Sequence, residues 1–390
     1  MKLTKEEQEM LSGKQGNAVK KSMEILTALG DIFGAERLID VKSVQIAGVS
    51  YHNLEEAGLE FLEEMAKDGK AKVFTTLNPA GMDLKEWQKL GISPEFAEKQ
   101  LKVIEAFSKM GVKTTCTCTP YLIGNRPKKG DHIAWSESSA VCFANSVLGA
   151  YTNREGGPSA IASALTGKTP EFDLHLDKNR QAQVIVEVKT PLKTLTDWGA
   201  LGHAIGEKAG KKIALITGVK KADEDSLKIF SASIATYAGA AIFHIEGITP
   251  NKTVKPKERI EIAAQDLAKS KAFLTDASEV DIIAVGCPHC SLAEMETIAK
   301  ALEGKKVKKE FWICVSREIK DKAAEKGFVK KIEASGAKIA CDTCMAVAPL
   351  KGRFKGLATN SAKAIFYGRG KNSFKTIFCD LDKCIEEATR

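Results

Sequence analysis

Val280-Asp281-Ile282-Ile283-Ala284-Val285-Gly286-Cys287-Pro288-His289-Cys290 is a short apolar run that closes on a glycine and a cysteine-bearing turn. The run reads as a strand buried on both faces, and Gly286-Cys287-Pro288 ends it. Helical periodicity follows. A strand that passes through a polar turn into a helix is one unit of a parallel α/β sheet.

The same plan recurs along the chain. Val41–Ala47 and Lys72–Leu77 read as strands that end in the polar turns Gly48-Val49-Ser50-Tyr51-His52-Asn53 and Asn78-Pro79-Ala80-Gly81. Helices are expected at Gly16–Phe33, Glu55–Asp68 and Pro94–Met110, with Thr4 and Glu7 as a capping box at the first turn of the chain. Val112–Cys116, Val184–Val188, Ile213–Ile216, Ala241–Ile245, Lys309–Ser316 and Lys338–Ala340 read as further strands. Ala140–Ala150 reads as a buried helix and Lys320–Ser335 as a continuous one. A lysine-rich polar stretch before Asp276 suggests a boundary, dividing an α/β region 1–274 from an α/β region 275–390.

Composition narrows the function classes. The chain has 390 residues, 28% charged, with a formal net charge of +8. Its lysines are dispersed among glutamates, which argues for a solvated surface and not for a nucleic-acid stripe; a mild positive field suits a small anionic substrate. No apolar run reaches the length of a membrane span, and Met1-Lys2-Leu3-Thr4 opens no signal-peptide core. A cytoplasmic protein with no membrane partner is expected.

Ten cysteines in a reducing compartment do not suggest a disulfide framework. Cys142, Cys314, Cys379 and Cys384 lie in apolar patterns and read as buried side chains. The other six fall in three pairs: Cys116 and Cys118, Cys287 and Cys290, Cys341 and Cys344. Each pair sits at the expected carboxyl end of a strand, where open α/β sheets bind ligands. Three chemistries suit such pairs. Thiolates from distant turns can hold an iron–sulfur cluster, and Cys287-Pro288 has a proline beside the ligand as many such sites do. Cys287, Cys290, Cys341 and Cys344 would also make a four-thiolate zinc site. Cys287-Pro288-His289-Cys290 alone has the spacing of a redox dithiol.

Other polar residues crowd the same strand ends. Glu137, Ser138 and Ser139 precede the small-residue helix, and Asn153, Arg154, Glu155, Gly156 and Gly157 follow it. Arg154 has the planar fork for a carboxylate or phosphate, although Arg154 and Glu155 in a solvated turn explain the same letters. Asn360-Ser361-Ala362-Lys363 fits either an anion-binding helix start or an ordinary N-cap.

At these residues the chain resembles the aconitase X family, in particular its archaeal two-subunit type. The resemblance rests on Gly48–Asn53, Cys118-Thr119-Pro120-Tyr121, Ala134–Ala140, Ala144–Ala150, Thr152–Gly157, Gly286–His289, Asp342-Thr343-Cys344 and Asn360–Lys363, and covers nearly the whole chain. It implies an α/β fold of aconitase-like multi-layer domains with parallel-rich sheets, lacking the swivelling domain. It implies an iron–sulfur hydro-lyase that dehydrates mevalonate 5-phosphate to trans-anhydromevalonate 5-phosphate on a modified mevalonate route to isoprenoids. A related type, one fused chain, acts on cis-3-hydroxyproline. A small partner subunit would complete the site as a heterodimer.

The resemblance also sorts the residues. Cys118, Cys287 and Cys344 match its ligand positions, for a [4Fe-4S] cluster that can be isolated as [3Fe-4S]; Cys116, Cys290 and Cys341 are extras. Three thiolates would leave one iron free to take the leaving hydroxyl. Ser50, His52, Glu137, Ser138 and Ser139 become candidates for the base, unless the small subunit supplies it. Asn78, Asn153, Arg154, Glu155, Ser361 and Lys363 become candidates for binding the substrate, with Asp83 a further hydroxyl contact.

Overall fold

A computed structural model describes residues 1–390. Three parallel sheets follow one another along the chain, and each turns the carboxyl ends of its strands toward a loop cluster.

The first 180 residues hold α1 (Lys5–Leu11), α2 (Asn17–Ile32), β1 (Leu38–Asp40), β2 (Ser43–Ile46), α3 (Tyr51–Met65), β3 (Phe74–Leu77), α4 (Pro94–Lys109), β4 (Ala134–Trp135), α5 (Ser138–Phe143), α6 (Gly157–Thr166) and β5 (Lys168–Pro170). The capping box of Thr4 and Glu7 is present at α1. β2 lies between β3 and β4, all parallel, while β1 and β5 form a small antiparallel pair. β2 is buried along its whole length, and Val44 and Ile46 pack with Leu59, Leu62, Leu77, Val103 and Phe107. The expected strand at Val112–Cys116 does not form. Only Lys113 bridges to Thr76, and Cys116 turns to φ +41°, which no strand accommodates.

The next segment carries β6 (Val184–Val188), α7 (Leu195–Ala209), β7 (Ala214–Thr217), α8 (Glu224–Tyr237), β8 (His244–Ile245), β9 (Arg259–Ile262) and α9 (Ala264–Phe273). The sheet order is β8-β7-β6-β9, all parallel. The expected strand at Ala241–Ile245 shortens to its last two residues. α7 packs tightly on α8 because it carries glycines at the contact: a Cβ on Gly202 would lie 2.6 Å from Ser233.

The last segment holds β10 (Ile282–Val285), α10 (Leu292–Ala301), β11 (Glu310–Val315), α11 (Arg317–Glu325), α12 (Phe328–Ala334), β12 (Lys338–Cys341), β13 (Gly356–Thr359), α13 (Ala362–Asn372), β14 (Lys375–Phe378) and α14 (Leu381–Thr389). The helix expected over Lys320–Ser335 is two helices, because Gly327 between them adopts φ +77°. The five strands run parallel in the order β12-β11-β10-β13-β14. The chain winds outward from β10 to β12, then crosses back to β13. That reversal between β10 and β13 is the topological switch point where open α/β sheets bind ligands. Cys287 follows β10 and Lys363 follows β13, so both stand at this crevice. Packing joins the segments: Tyr121, Trp135 and Phe143 share one core with α7, α8, Ile365 and Phe378. No helix is long and apolar enough to cross a membrane.

Candidate active site

Three loops meet at one cavity, and each is fixed by polar contacts. In the first loop the Thr117 N–H donates to Leu77 O (2.9 Å), and the buried Gln45 of β2 donates from Nε2 to Thr117 O (3.0 Å). In the second, Gly286 has φ +89°, and a Cβ there would lie 2.1 Å from Cys314 O, so only glycine lets β10 turn into Cys287. In the third, Asp342 takes φ +61° and its carbonyl accepts from Ala80 N–H (2.7 Å). The buried Asp83 accepts the Cys341 N–H (3.0 Å) and pairs with Arg317 (2.6 Å), which also pairs with Asp342. Asp83 therefore anchors the third loop and is not free for a substrate hydroxyl.

Cys118, Cys287 and Cys344 all line this cavity of about 230 Å³. Burial pushes the Cys118 thiol well up, and the neighbouring Glu137, Cys344 and Cys287 add to the effect. Burial, with Cys344 beside it, pushes Cys287 up to about 12. The companion cysteines face elsewhere. Cys290 and Cys341 pack in the core around Ile283, Ile313 and Ile339, and Cys116 packs with Leu77 and Val112. One sulfur of each pair thus opens on the cavity. The four-thiolate zinc site would need Cys290 and Cys341 there, and no group of three His, Cys, Asp or Glu side chains is gathered tightly enough for a single ion. The redox dithiol is likewise divided, with Cys287 on the cavity and Cys290 in the core.

Glu137, Ser138, Arg154, Lys363 and Asn78 also line the cavity. Lys363 Nζ pairs with Glu137 Oε1 and lies 3.1 Å from Ser138 Oγ and 3.3 Å from Ser139 Oγ. Glu137 Oε2 accepts from Ser139 Oγ (2.6 Å) and from the Ala140 N–H (2.7 Å), which caps α5. Burial would depress Lys363, but Glu137 and Cys287 hold its ammonium above the usual lysine value. Burial would raise Glu137, but Lys363, Ser139 and the Ala140 N–H outweigh it and hold the carboxylate below its ordinary value. Arg154 is exposed at the rim.

The remaining candidates do not line the cavity. Ser50 is buried and donates to Val347 O (3.2 Å). His52 is exposed on the first turn of α3, while its neighbour Asn53 lines the cavity. Ser139 lies behind Glu137. Asn153 ties the loop after β5, donating to Phe172 O (3.2 Å) and accepting from the Leu174 N–H (2.9 Å). Glu155 accepts from Ser159 Oγ (2.6 Å) and is raised by burial. Ser361 caps α13 through the Ala364 N–H (3.1 Å).

Four polar lining residues were not among the candidates read from the sequence: Asn53, Ser136, Tyr367 and Lys371. Tyr367 and Lys371 follow Lys363 at intervals of four, so the spacing already placed them on one face of α13. Burial lowers Lys371. The cavity as a whole offers three thiols, a cationic rim and a buried ion pair, a donor set suited to a sulfur-ligated metal centre beside an anionic substrate.

Comparison with known proteins finds likeness along the whole chain. Models of the aconitase X first, second and third domains match residues 1–178, 182–272 and 280–390. The chain is 47% identical to the phosphomevalonate dehydratase large subunit of Thermococcus kodakarensis, with 100% of each chain covered. The crystal structure of Thermococcus kodakaraensis aconitase X in its holo-form superposes with a TM-score of 0.93, at 46% identity and with 100% of both chains covered. A cis-3-hydroxy-L-proline dehydratase of Pseudomonas aeruginosa is 33% identical over 98% of this chain and 69% of that one.

Proposed function

The chain belongs to the aconitase X family, and from that membership we propose that it is the large, catalytic subunit of a hydro-lyase that dehydrates mevalonate 5-phosphate to trans-anhydromevalonate 5-phosphate. The observation that carries the reading is end-to-end likeness at 47% identity to a protein named for that activity. The second substrate, cis-3-hydroxy-L-proline, belongs to relatives that are more distant and longer than this chain.

Cys118, Cys287 and Cys344 would hold the iron–sulfur cluster. When bound, the cluster supplies a Lewis-acidic iron that makes hydroxide a better leaving group. The reaction removes a proton from the carbon next to the carboxylate and a hydroxyl from the carbon beyond it, leaving a double bond and water. Arg154 and Lys371, at the rim and on α13, would bind the phosphate or carboxylate ends. Lys363 neutralises Glu137 and orders Ser138 toward the substrate. Of the five candidate bases, only Glu137 and Ser138 line the cavity. Glu137 has both oxygens engaged and Ser138 lies beside the Lys363 ammonium. Neither is a free base, so the small subunit would supply it.

The test is direct. The chain is reconstituted with iron and sulfide under anaerobic conditions, mixed with the small subunit, and given each substrate, with loss of one water followed by mass spectrometry. Dehydration of mevalonate 5-phosphate is expected. Turnover of cis-3-hydroxy-L-proline alone would overturn the substrate assignment.

A further inference from the structure

His289 does not line the cavity, yet it touches every loop that builds it. It is fully buried. Its Nε2 lies 2.9 Å from Thr343 O in the third cysteine loop, and its Nδ1 lies 3.0 Å from Thr117 Oγ1 in the first. Its own backbone N–H, in the second loop, donates to Cys118 Sγ at 3.2 Å. Its carbonyl accepts from Lys228 Nζ of α8 at 3.3 Å.

The protons have one consistent arrangement. A carbonyl only accepts, so Nε2 carries the hydrogen and Nδ1 accepts from the Thr117 hydroxyl. Thr117 Oγ1 in turn accepts from the Thr119 N–H (3.3 Å) and from the Thr119 hydroxyl (3.1 Å). Behind the second loop, the buried Lys228 pairs with Glu294 and with Asp225 (2.9 Å). Ser291 completes that support: its N–H donates to Glu294 Oε2 (2.8 Å) and its hydroxyl to Asp225 Oδ2 (2.9 Å).

A buried histidine that satisfied only local partners would be ordinary core. This one has partners that are far apart in sequence and converge only at the cysteine loops. We propose that His289 is a positioning residue that locks the three cysteine loops in register and sets the environment of the Cys118 sulfur through its N–H. The proposal rests on the reading that Cys118, Cys287 and Cys344 hold a cluster. Outer-shell hydrogen bonds orient metal ligands, and bonds to the sulfurs tune a cluster's potential.

Wild type, His289→Leu, His289→Gln and Thr117→Val are reconstituted anaerobically. Iron loss to a chelator, the electron paramagnetic resonance signature and the midpoint potential are measured, with thermal unfolding of the apo chains alongside. His289→Leu is expected to lose iron about 10- to 100-fold faster. His289→Gln, whose amide reaches the Nε2 position, should recover most of that difference. Thr117→Val should shift the signature and potential even if His289→Leu does not fold. Iron loss within twofold of wild type in the variants that fold, with unchanged signature and potential, overturns the proposal, as does a fall in thermal stability alone. A wild-type chain that takes up no cluster overturns both this proposal and the reading beneath it; a wild-type cluster indifferent to these substitutions overturns this proposal only.

Discussion

Lys363 and Glu137 form a buried ion pair in the cavity wall, although 226 residues separate them. The pair joins the first turn of α13 to the N-cap of α5, and so holds the switch-point crevice of the last sheet against the motif Glu137-Ser138-Ser139 of the first segment. Both side chains are more than nine-tenths buried, so each charge depends on the other.

Removing one partner should therefore cost more than removing both. Lys363→Met leaves a buried carboxylate without its cation, and a loss of about 3–5 kcal/mol in urea unfolding is expected. The double variant Lys363→Met with Glu137→Gln should recover much of that stability. It should not recover activity, because the ordering of Ser138 is gone. Recovery of both would mean that the pair is structural only.

Arg154 stands at the rim, and its role should separate from stability. Arg154→Met is expected to raise KM for an anionic substrate by about tenfold or more, as loss of a charge-assisted contact does. Unfolding should move by less than about 0.5 kcal/mol, as for other exposed positions. A normal KM in this variant would place the anion elsewhere in the cavity.

A second pair, buried at His175 and half-buried at His132, predicts acid sensitivity away from the cavity. His132 and His175 share a 2.9 Å hydrogen bond between their Nδ1 atoms, with His132 beside Tyr151. Burial lowers His175 to about 3. The folded chain keeps it neutral while the unfolded chain takes up a proton near the ordinary value of 6.5. Its contribution to stability is thus whole above 6.5 and is lost as pH falls toward about 3, by up to about 1.4 kcal/mol per pH unit. His175→Phe should flatten that part of the stability–pH curve, as measured by urea unfolding. An unchanged slope would show that the histidine is charged in the folded chain.

Strand–turn–helix repeats made the parallel α/β class legible, because a strand buried on both faces leaves an unbroken apolar run such as Ile282–Val285. Elements governed by one backbone angle were not legible. Val112–Cys116 has strand letters but ends in a left-handed cysteine, and Gly327 splits a helix whose apolar period continues across it. Which of two neighbouring residues lines the cavity was not legible for a related reason. His52 and Asn53 are neighbours on a helix, where one residue is a rotation of about 100°. Only Asn53 faces the cavity. The same ambiguity covers Cys287 against Cys290, which letters alone leave as equal partners. Lys371 was readable from its spacing to Lys363, whereas the convergence on His289 was not, since its partners lie as far away as Thr117.

Iron and sulfide content of single cysteine variants bears most directly on the three-sulfur cavity. Cys118→Ala, Cys287→Ala, Cys344→Ala and Cys290→Ala are reconstituted anaerobically beside the wild type. The first three should lose the cluster and all dehydration activity, while Cys290→Ala keeps iron and sulfide at the wild-type level. Loss of the cluster in Cys290→Ala as complete as in the other three, or its retention in any of those three, would contradict the assignment.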